Sequence, residues 1–505
     1  MTHKQLLFIV LSINLVIGIL QFWGPRQQFD DAINWDSLPY GQFALYFEDR
    51  VEKECYIVGT DYAFKRMFPS VLVYYGIKFS GAEHSNQNVM TGFLLLNLIT
   101  TLFAIYIWHL ILIYFKWEMK SSIISYFCLL LINPIAVFQF VYPIMTDTMA
   151  YFLTVLLLYG YLTKKLCIIL LSLIFSYFTS PLMPFLTLVP LAFPLKNTPI
   201  ETSKLSKIFA YSIATLFGLF VSLIIVGYHF KRYNYTYEYG GIVQPVLALT
   251  PLTLFILFLY YLITLSGLLN NKNLYDFRNI WNQINLKNIV ITLVIMAILS
   301  KLFIFLAFKN DPVVVRTQLR LLMMFIYHYY MHAIMKPFGG LVDHFLYYGP
   351  VLCFLIFYWK SFIQKIQNYG IGLVIFFVLG LFLWGKTEAR HGMTWYPFII
   401  FLLIPLLKIE NWTTKQMWLF GIFAFIFSRI WWYPLGCNSA YNNSINKPYG
   451  LFPNLECFDN DITVALTHLG PWVSHRGHYF SIGIILIGML FCWYFFVRQH
   501  PQKST

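Results

Sequence analysis

The chain has 505 residues, of which 59% are hydrophobic and only 11% are charged. A soluble protein usually carries about 25% charged residues, so this composition excludes a water-soluble globular fold. The formal net charge is +14, yet the Lys and Arg residues are scattered in small groups between apolar runs. That pattern does not indicate nucleic acid binding, which favours a clustered basic patch.

Apolar runs long enough to cross a membrane recur along the whole chain. A hydrocarbon core of about 30 Å requires about 20 apolar residues in a helix, and residues 93–114 and 289–308 meet this requirement. We predict an all-α, polytopic transmembrane bundle in a single domain, 1–505, with about 14 spans (range about 11–14). The predicted spans are 5–23, 90–115, 121–141, 148–163, 166–180, 182–195, 208–228, 243–268, 289–308, 343–359, 370–385, 394–407, 416–433 and 480–497.

Three apolar segments depart from this simple pattern. The first run, 5–23, is followed by no small-residue cleavage site, so we interpret it as a retained span rather than a signal peptide. The stretch 148–195 is broken by Pro181 and Pro184, and its short helices are either tilted or form a re-entrant pair. Segment 315–335 contains two Arg and two His and is predicted to be interfacial or to line a cavity.

The distribution of Lys and Arg predicts the orientation of the chain, because cytoplasmic loops are enriched in these residues. With both termini in the cytoplasm, every loop on that side is basic, whereas most carboxylates fall on the opposite side. Two long polar segments are then external. Residues 24–89 form a first external loop with interfacial helices, and residues 434–479 form the last external loop. Since long loops often carry function, we expect the functional site on the external face.

The first external loop carries three carboxylates within a short stretch, Asp30, Asp31 and Asp36. Phe29 and Trp35 flank them, and an apolar setting keeps a carboxylate basic enough to accept a proton. These three residues are therefore candidates for a catalytic base. A solvated acidic turn is the alternative interpretation.

Two adjacent cations, Lys65 and Arg66, lie further along the same loop. Paired cations at a membrane surface suit a phosphate or pyrophosphate headgroup, although anchoring at the lipid interface explains them equally well. Asp147 lies at the start of the span 148–163. The alternative to a functional role is a helix cap, in which Thr146 or Asp147 completes the first turn.

A tight turn between two later spans contains Glu388, Arg390 and His391. Glu388 and Arg390 could orient each other, and Arg390 or His391 could hold a ligand anion. An ordinary charged hairpin turn is the alternative. Arg429, close to the external end of a span, is expected to reach the interface or to face a cavity.

The sequence predicts no metal site. Residues 459–461 read Asp-Asn-Asp and resemble the metal-binding motif of nucleotide-sugar transferases, but nucleotide sugars are cytoplasmic and this segment is predicted to be external. Two His in 474–479 lack further ligands. In the last external loop, Cys437 and Cys457 are a candidate pair for a disulfide bond.

Together these motifs resemble those of the glycosyltransferase-C superfamily, polytopic membrane enzymes that use sugars linked to lipid phosphates. The resemblance covers most of the chain. It is carried by the acidic first loop, a Pro-containing amphipathic stretch in that loop, a Thr-Asp entry to a span, and a Glu-x-Arg turn before a Pro-containing span. The residues concerned are Asp30, Asp31 and Asp36 with Tyr40, Arg66-Met67-Phe68-Pro69, Thr146-Asp147, and Glu388-Ala389-Arg390 with Pro397.

The resemblance implies an inverting glycosyltransferase that acts on the external face. No cofactor is expected, and a divalent metal ion is allowed but not indicated. The donor would be a sugar on a polyprenyl phosphate, and the acceptor a glycan, a lipid or a protein. Asp36, or failing that Asp31 or Asp30, would be the base. The substrate-binding residues would be Tyr40, Lys65, Arg66, Asp147, Glu388, Arg390 and His391. The expected location is a bacterial inner membrane with the site facing the periplasm, and the endoplasmic reticulum membrane is the alternative.

Other classes of membrane protein share some of these features. A polysaccharide polymerase or O-antigen ligase typically has a large late external loop rich in Arg and His, which 434–479 matches in part. A lipid-sugar flippase or transporter typically shows an inverted repeat and paired broken helices, whereas the sequence shows one broken region, at 181–184. A receptor or scaffold gives no reason for carboxylates on several external turns.

Overall fold

The architecture is helical throughout the part of the chain that the computed structural model describes. The described residues are 1–22, 37–48, 65–132, 135, 143–180, 182–196, 200–231, 243–307, 338–384, 389–429 and 475–498. They form nineteen α-helices and no β-strand, which confirms the all-α prediction for these residues.

The helices are numbered in chain order. They are α1 (His3–Gln21), α2 (Ser37–Tyr46), α3 (Phe68–Ser80), α4 (Asn86–Tyr114), α5 (Met119–Leu130), α6 (Asp147–Leu162), α7 (Leu166–Tyr177), α8 (Met183–Ala192), α9 (Lys204–Lys231), α10 (Val243–Leu269), α11 (Phe277–Trp281), α12 (Leu286–Ala307), α13 (Gly339–Tyr348), α14 (Pro350–Phe357), α15 (Trp359–Asn368), α16 (Ile371–Trp384), α17 (Tyr396–Leu403), α18 (Thr414–Arg429) and α19 (His475–Cys492).

Three of the described helices are long and apolar enough to cross a membrane. Their apolar stretches are His3–Leu20, Asn86–Tyr114 and Lys204–Leu223, and shorter apolar helices of 10–17 residues accompany them. Together with the low content of charged residues, these helices indicate a membrane protein. The number of spans that cross the bilayer stays a prediction.

Every predicted span overlaps at least one helix, because long apolar runs form helices whether they cross lipid or pack inside a bundle. The clearest difference concerns the predicted span 343–359, which is two helices, α13 and α14. Gly349 separates them with a φ of 67°, a backbone conformation that glycine adopts without strain. Pro350 then starts α14 at a position where no backbone N–H is required. Segment 315–335 and most of 434–479 lie outside the described residues.

The chain divides into two compact units. Unit 1 comprises Met1–Leu130, Pro134–Leu195 and Asn285–Val315, and therefore contains α1 to α8 and α12. Unit 2 comprises Leu131–Asn133, Lys196–Ile284 and Arg316–Thr505, and contains the other helices. The prediction of a single domain is not tested by this division.

Unit 1 is organised around the long helix α4, which packs against α1, α3 and α6. The capping box at Thr2 and Gln5 starts α1, with Thr2 N donating to Gln5 Oε1 at 2.7 Å. Ser85 starts α4 by accepting a hydrogen bond from the Asn88 backbone. Such side-chain acceptors satisfy N–H groups that have no partner within the helix, and so they fix where each helix begins.

Unit 2 has an antiparallel pair, α9 and α10, and a group of shorter helices that includes α13, α14, α18 and α19. An aromatic cluster fills the core of that group. The ring centroids of Trp412 and Phe496 lie 4.7 Å apart, and Phe354 lies 5.7 Å from Phe496. Pairs at such separations stabilise a core beyond simple burial.

Candidate functional site

Buried polar and charged groups gather at one end of unit 1, which we call the loop end. It is the end at which α1 and α7 finish, α4 and α6 begin, and α2 and α3 pack. Two hydrogen bonds join these pieces. Asn97 Nδ2 of α4 donates to the Pro143 carbonyl oxygen at 2.9 Å, and the Phe68 backbone N–H donates to the Phe178 carbonyl oxygen at 2.9 Å. Residues distant in sequence are thereby joined at this end of unit 1.

A hydrophobic cluster fixes α2 and α3 onto the rest of the loop end. Phe43 of α2, Met67, Phe178 and Leu299 of α12 form a buried cluster. Phe68 stacks on Phe175 of α7 with ring centroids 5.0 Å apart. Burying such side chains stabilises the fold by about 1.5–3 kcal/mol each, so the first loop is anchored next to Lys65 and Arg66.

Arg66 is buried although it carries a charge. Only 3% of its surface is exposed, and the adjacent Met67 belongs to the hydrophobic cluster. Lys65, the residue before it, is half-buried. Tyr40 of α2 is 0% exposed. Because a buried cation is costly unless a partner or ligand compensates for it, Arg66 is the stronger of the two predicted phosphate-binding cations.

Asp147 is the first residue of α6 and is only 6% exposed. Thr146 occupies the cap position but its side chain makes no capping hydrogen bond, so the proposed Thr146 cap is wrong. The carboxylate of Asp147 still lies where the helix dipole favours negative charge. A nearly buried carboxylate in an apolar helical unit is a candidate for function.

The Asn97 hydrogen bond positions the turn that precedes Asp147. Val73 of α3 packs against Gly92 of α4, and Asn97 lies five residues further along α4. At about 1.5 Å per residue, the Pro143 carbonyl sits about 7.5 Å deeper along α4 than this α3 contact. The turn before Asp147 therefore lies deeper along α4 than the contact between α3 and α4.

We predict that Asn97→Leu lowers the stability of unit 1. The change removes a buried donor and leaves the Pro143 carbonyl without that hydrogen bond, which costs about 1–2 kcal/mol. Thermal unfolding of the purified protein in detergent measures the effect. Thr91→Val is the control, because Thr91 is partly exposed on the same helix and its hydroxyl bonds only within the helix. Equal stability of Asn97→Leu and Thr91→Val would contradict the prediction.

An exposed ion pair also connects α3 with the residues that follow α2. Lys78 Nζ donates to Glu48 Oε2 at 2.6 Å. This hydrogen bond from Lys78 lowers the pKa of Glu48. Both side chains face solvent, so the pair contributes little to stability. Lys78 is therefore an exposed cation in the same loop, whereas Arg66 is a buried one.

The three predicted catalytic carboxylates, Asp30, Asp31 and Asp36, lie outside the described residues, as does Glu388. Their roles stay predictions. The same holds for the bond predicted between the cysteines of the last external loop, Cys437 and Cys457, which also lie outside.

Arg390 and His391 belong to unit 2. Their backbone forms part of the 3₁₀ helix Ala389–Thr394, which we call the Ala389–Thr394 turn, whereas their side chains are not among the described groups. Tyr40, Lys65, Arg66 and Asp147 belong to unit 1, so the predicted convergence of these residues with the turn is untested.

Sequence reasoning did not single out two ionisable residues of unit 2, Asp343 and His344. Both lie in α13 and are 1% and 0% exposed, respectively. Both residues fall within the apolar run predicted as the span 343–359. Asp343 lies at the start of that span, as Asp147 lies at the start of 148–163, so the criterion that selects Asp147 also selects Asp343.

The arrangement offers buried charged groups at the loop end. Among the described residues there is no cluster of three or more His, Cys, Asp or Glu side chains that could hold a metal ion. A buried cation and a buried carboxylate at one end of an apolar unit are suited to recognising a charged or hydroxyl-rich headgroup. No protein-family model, no curated protein and no solved structure matches the chain.

Proposed function

We propose that the protein is a membrane glycosyltransferase that moves a sugar from a polyprenyl-phosphate donor to an acceptor on the external face. The observation that best supports the proposal is the burial of Arg66 and Asp147 at the same end of an apolar helical unit. Ionisable residues are rare in such settings, and they usually serve a substrate or a proton path. The motifs that resemble the glycosyltransferase-C superfamily supply the reaction class.

The proposed reaction divides the work among a base, a cation and two residues that contact substrate. A carboxylate of the first loop, Asp36 or failing that Asp31 or Asp30, takes the proton from the acceptor hydroxyl. The acceptor oxygen then forms a bond to the anomeric carbon as the bond to the lipid phosphate breaks, with inversion. Arg66 stabilises the negative charge that develops on the leaving phosphate. Asp147 and Tyr40 contact the sugar or the acceptor.

The direct test is sugar transfer by the purified protein in lipid nanodiscs. The substrates are a panel of polyprenyl-phosphate sugars, each with a radiolabelled sugar, and an extract of the host's envelope glycans and lipids as acceptors. We expect label to move from the lipid to an acceptor, and an equal amount of polyprenyl phosphate to be released. Binding of the donors without release of polyprenyl phosphate from any of them would contradict the proposal.

The site requires that the first loop faces outward, which cysteine labelling tests. Single cysteines replace Glu83, at the exposed end of the first loop, and Arg278, which is exposed in the basic segment between α10 and α12. The native cysteines are removed in both variants. We expect a membrane-impermeant maleimide added to intact cells to label position 83 but not position 278. The reverse pattern would place the proposed site on the wrong side of the membrane.

A lipid-sugar transporter is the second candidate, and the broken helices favour it. Gly349 separates α13 from α14 in unit 2, and the short helix α8 of unit 1 carries an internal proline, Pro190. Helices that are broken or weakened within apolar segments are typical of transporters. Movement of a labelled lipid-linked sugar across vesicles that contain the protein, with the sugar–phosphate bond intact, would favour this function over transfer.

A further inference from the structure

The segment that follows α10 in unit 2 exposes aromatic side chains and buries amides. Phe277 and Trp281 of α11 are 75% and 52% exposed, and their rings stack with centroids 6.1 Å apart. Asn271 and Gln283 are only 3% and 6% exposed. A surface that meets water normally shows the opposite distribution, so the outer side of α11 suits a less polar medium.

Hydrogen bonds hold the segment in this arrangement. Asn271 Oδ1 accepts from the Asn273 backbone N–H at 3.1 Å, and Asn279 Nδ2 donates to the Asn273 carbonyl oxygen at 3.1 Å. Gln283 Nε2 in turn donates to Asn279 Oδ1 at 3.1 Å. Because these amides bind within the segment, the aromatic rings of α11 are left on its outer side.

The beginning of α9 and the residues before it pack beside this segment, also within unit 2. The Lys272 backbone N–H donates to the Glu201 carbonyl oxygen at 2.6 Å. The rings of Phe209 and Tyr275 lie with centroids 5.4 Å apart. The charged residues in the first turn of α9 therefore lie next to the segment that carries α11.

Cations outnumber carboxylates where these pieces meet. The exposed cations are Lys204, Lys207, Lys272 and Arg278, and the exposed carboxylates are Glu201 and Asp276. Glu201 pairs with Lys272, with Oε2 and Nζ 3.4 Å apart, and Asp276 caps α11 by accepting from the Arg278 backbone N–H. We call the four cations together with Phe277 and Trp281 the α11 surface. This part of unit 2 keeps a net positive charge.

An exposed aromatic pair among cations matches the headgroup layer of a membrane. Trp is enriched in that layer, whereas Lys and Arg are costly in the hydrocarbon core. A helix of five residues is also too short to cross the core. The charge decides which headgroups fit, because each Lys or Arg close to an anionic leaflet strengthens binding to it.

We infer that the α11 surface binds the phosphate headgroups of anionic phospholipids, with Phe277 and Trp281 inserted among them. In the predicted topology this surface faces the cytoplasmic leaflet, whereas sugar transfer is proposed for the external face. The inference therefore goes beyond the proposed function and holds whether or not the protein transfers a sugar.

Binding of single lipids to the full chain in detergent micelles tests the inference. The probes are fluorescent phosphatidylglycerol, which is anionic, and fluorescent phosphatidylcholine, which has no net charge. Fluorescence polarisation gives an apparent Kd for each. We expect the wild type to bind phosphatidylglycerol about tenfold more tightly or better, because its cations favour an anionic headgroup. Equal binding of the two lipids would overturn the inference.

Removing two cations should weaken this selectivity. In Lys207→Gln/Arg278→Gln the Kd for phosphatidylglycerol should rise about 25-fold, because each cation close to an anionic membrane strengthens binding about fivefold. The Kd for phosphatidylcholine should not change. Lys164→Gln/Lys165→Gln is the matched control, since it removes two exposed cations from the loop between α6 and α7. An equal loss of phosphatidylglycerol binding in both double variants would attribute the selectivity to net charge and overturn the inference.

The depth of the α11 surface is tested with a fluorophore attached to Asn282→Cys, an exposed position next to Trp281. The native cysteines are replaced, and the protein is placed in nanodiscs. Phospholipids brominated on the part of the acyl chain close to the headgroup should quench the fluorophore, and iodide in the water should quench it only weakly. Adding Phe277→Ser and Trp281→Ser should reverse this order. Quenching by iodide but not by brominated lipid before those changes would place the surface in water, as expected for docking of a soluble protein, and would overturn the inference.

Discussion

Replacing Asp36 by Asn should lower the rate of sugar transfer by about 10²–10⁴-fold, the usual effect of losing a positioned general base. The amide keeps the size of the side chain but accepts no proton at the working pH. Binding of the polyprenyl-phosphate donor should change little, because the base acts on the acceptor. The measurement is the single-turnover rate at saturating donor, with donor binding measured separately.

Asp31→Asn and Asp30→Asn are the matched variants for this prediction. They make the same chemical change in the same loop, and Asp36 is expected to be the base because Trp35 adjoins it and Pro39 and Tyr40 follow it. A large loss in Asp31→Asn with normal transfer in Asp36→Asn would move the base to Asp31. Normal rates in all three variants would remove this loop from the mechanism and favour the transporter.

The positions of the helices could be predicted because they depend on local properties. A run of apolar residues forms a helix with its own backbone hydrogen bonds wherever it is buried, and each predicted span overlaps a helix. The break at Gly349 and Pro350 also has a local cause, and a Gly-Pro pair is a usual signal for it. The prediction of a single span at 343–359 follows instead from the length of the apolar run that contains this pair.

The contacts of the loop end could not be predicted, because they join residues far apart in sequence. Asn97 and Pro143 are 46 residues apart, and no periodicity links an amide on one helix to a carbonyl before another. Met67, next to the buried Arg66, packs among residues of α2 and α12, which is again a tertiary effect. The sequence therefore identified Arg66 and Asp147 as candidates but did not reveal that both are buried.

Burial also changes which interpretation of each charged residue is favoured. Anchoring at the lipid interface explains a cation whose head group reaches water, and Arg66 does not fit that description. Lys78, which pairs with Glu48 at the surface, does. A charge that the fold buries is retained for a partner or a ligand, so the two cations of one loop are expected to respond differently to substitution.

Replacing Arg66 by Met should raise the KM for the polyprenyl-phosphate donor by about 10- to 100-fold. The substitution keeps a long side chain among the apolar neighbours of Met67 but removes the charged hydrogen bonds to phosphate, which are worth about 1.5–3 kcal/mol. Arg66→Lys should have an intermediate effect, because it keeps the charge and loses the planar fork. Initial rates of transfer across a range of donor concentrations give KM and kcat for each variant.

Lys78→Met is the control, since it removes a cation from the same loop at an exposed position. Its KM should equal that of the wild type, and the difference between the two variants isolates the role of the buried cation from the net charge of the loop. Folding is checked by the thermal unfolding of each variant, because Arg66→Met alters a buried site. A folded Arg66→Met protein with an unchanged KM would show that Arg66 supports the structure of the loop end and does not bind the donor phosphate.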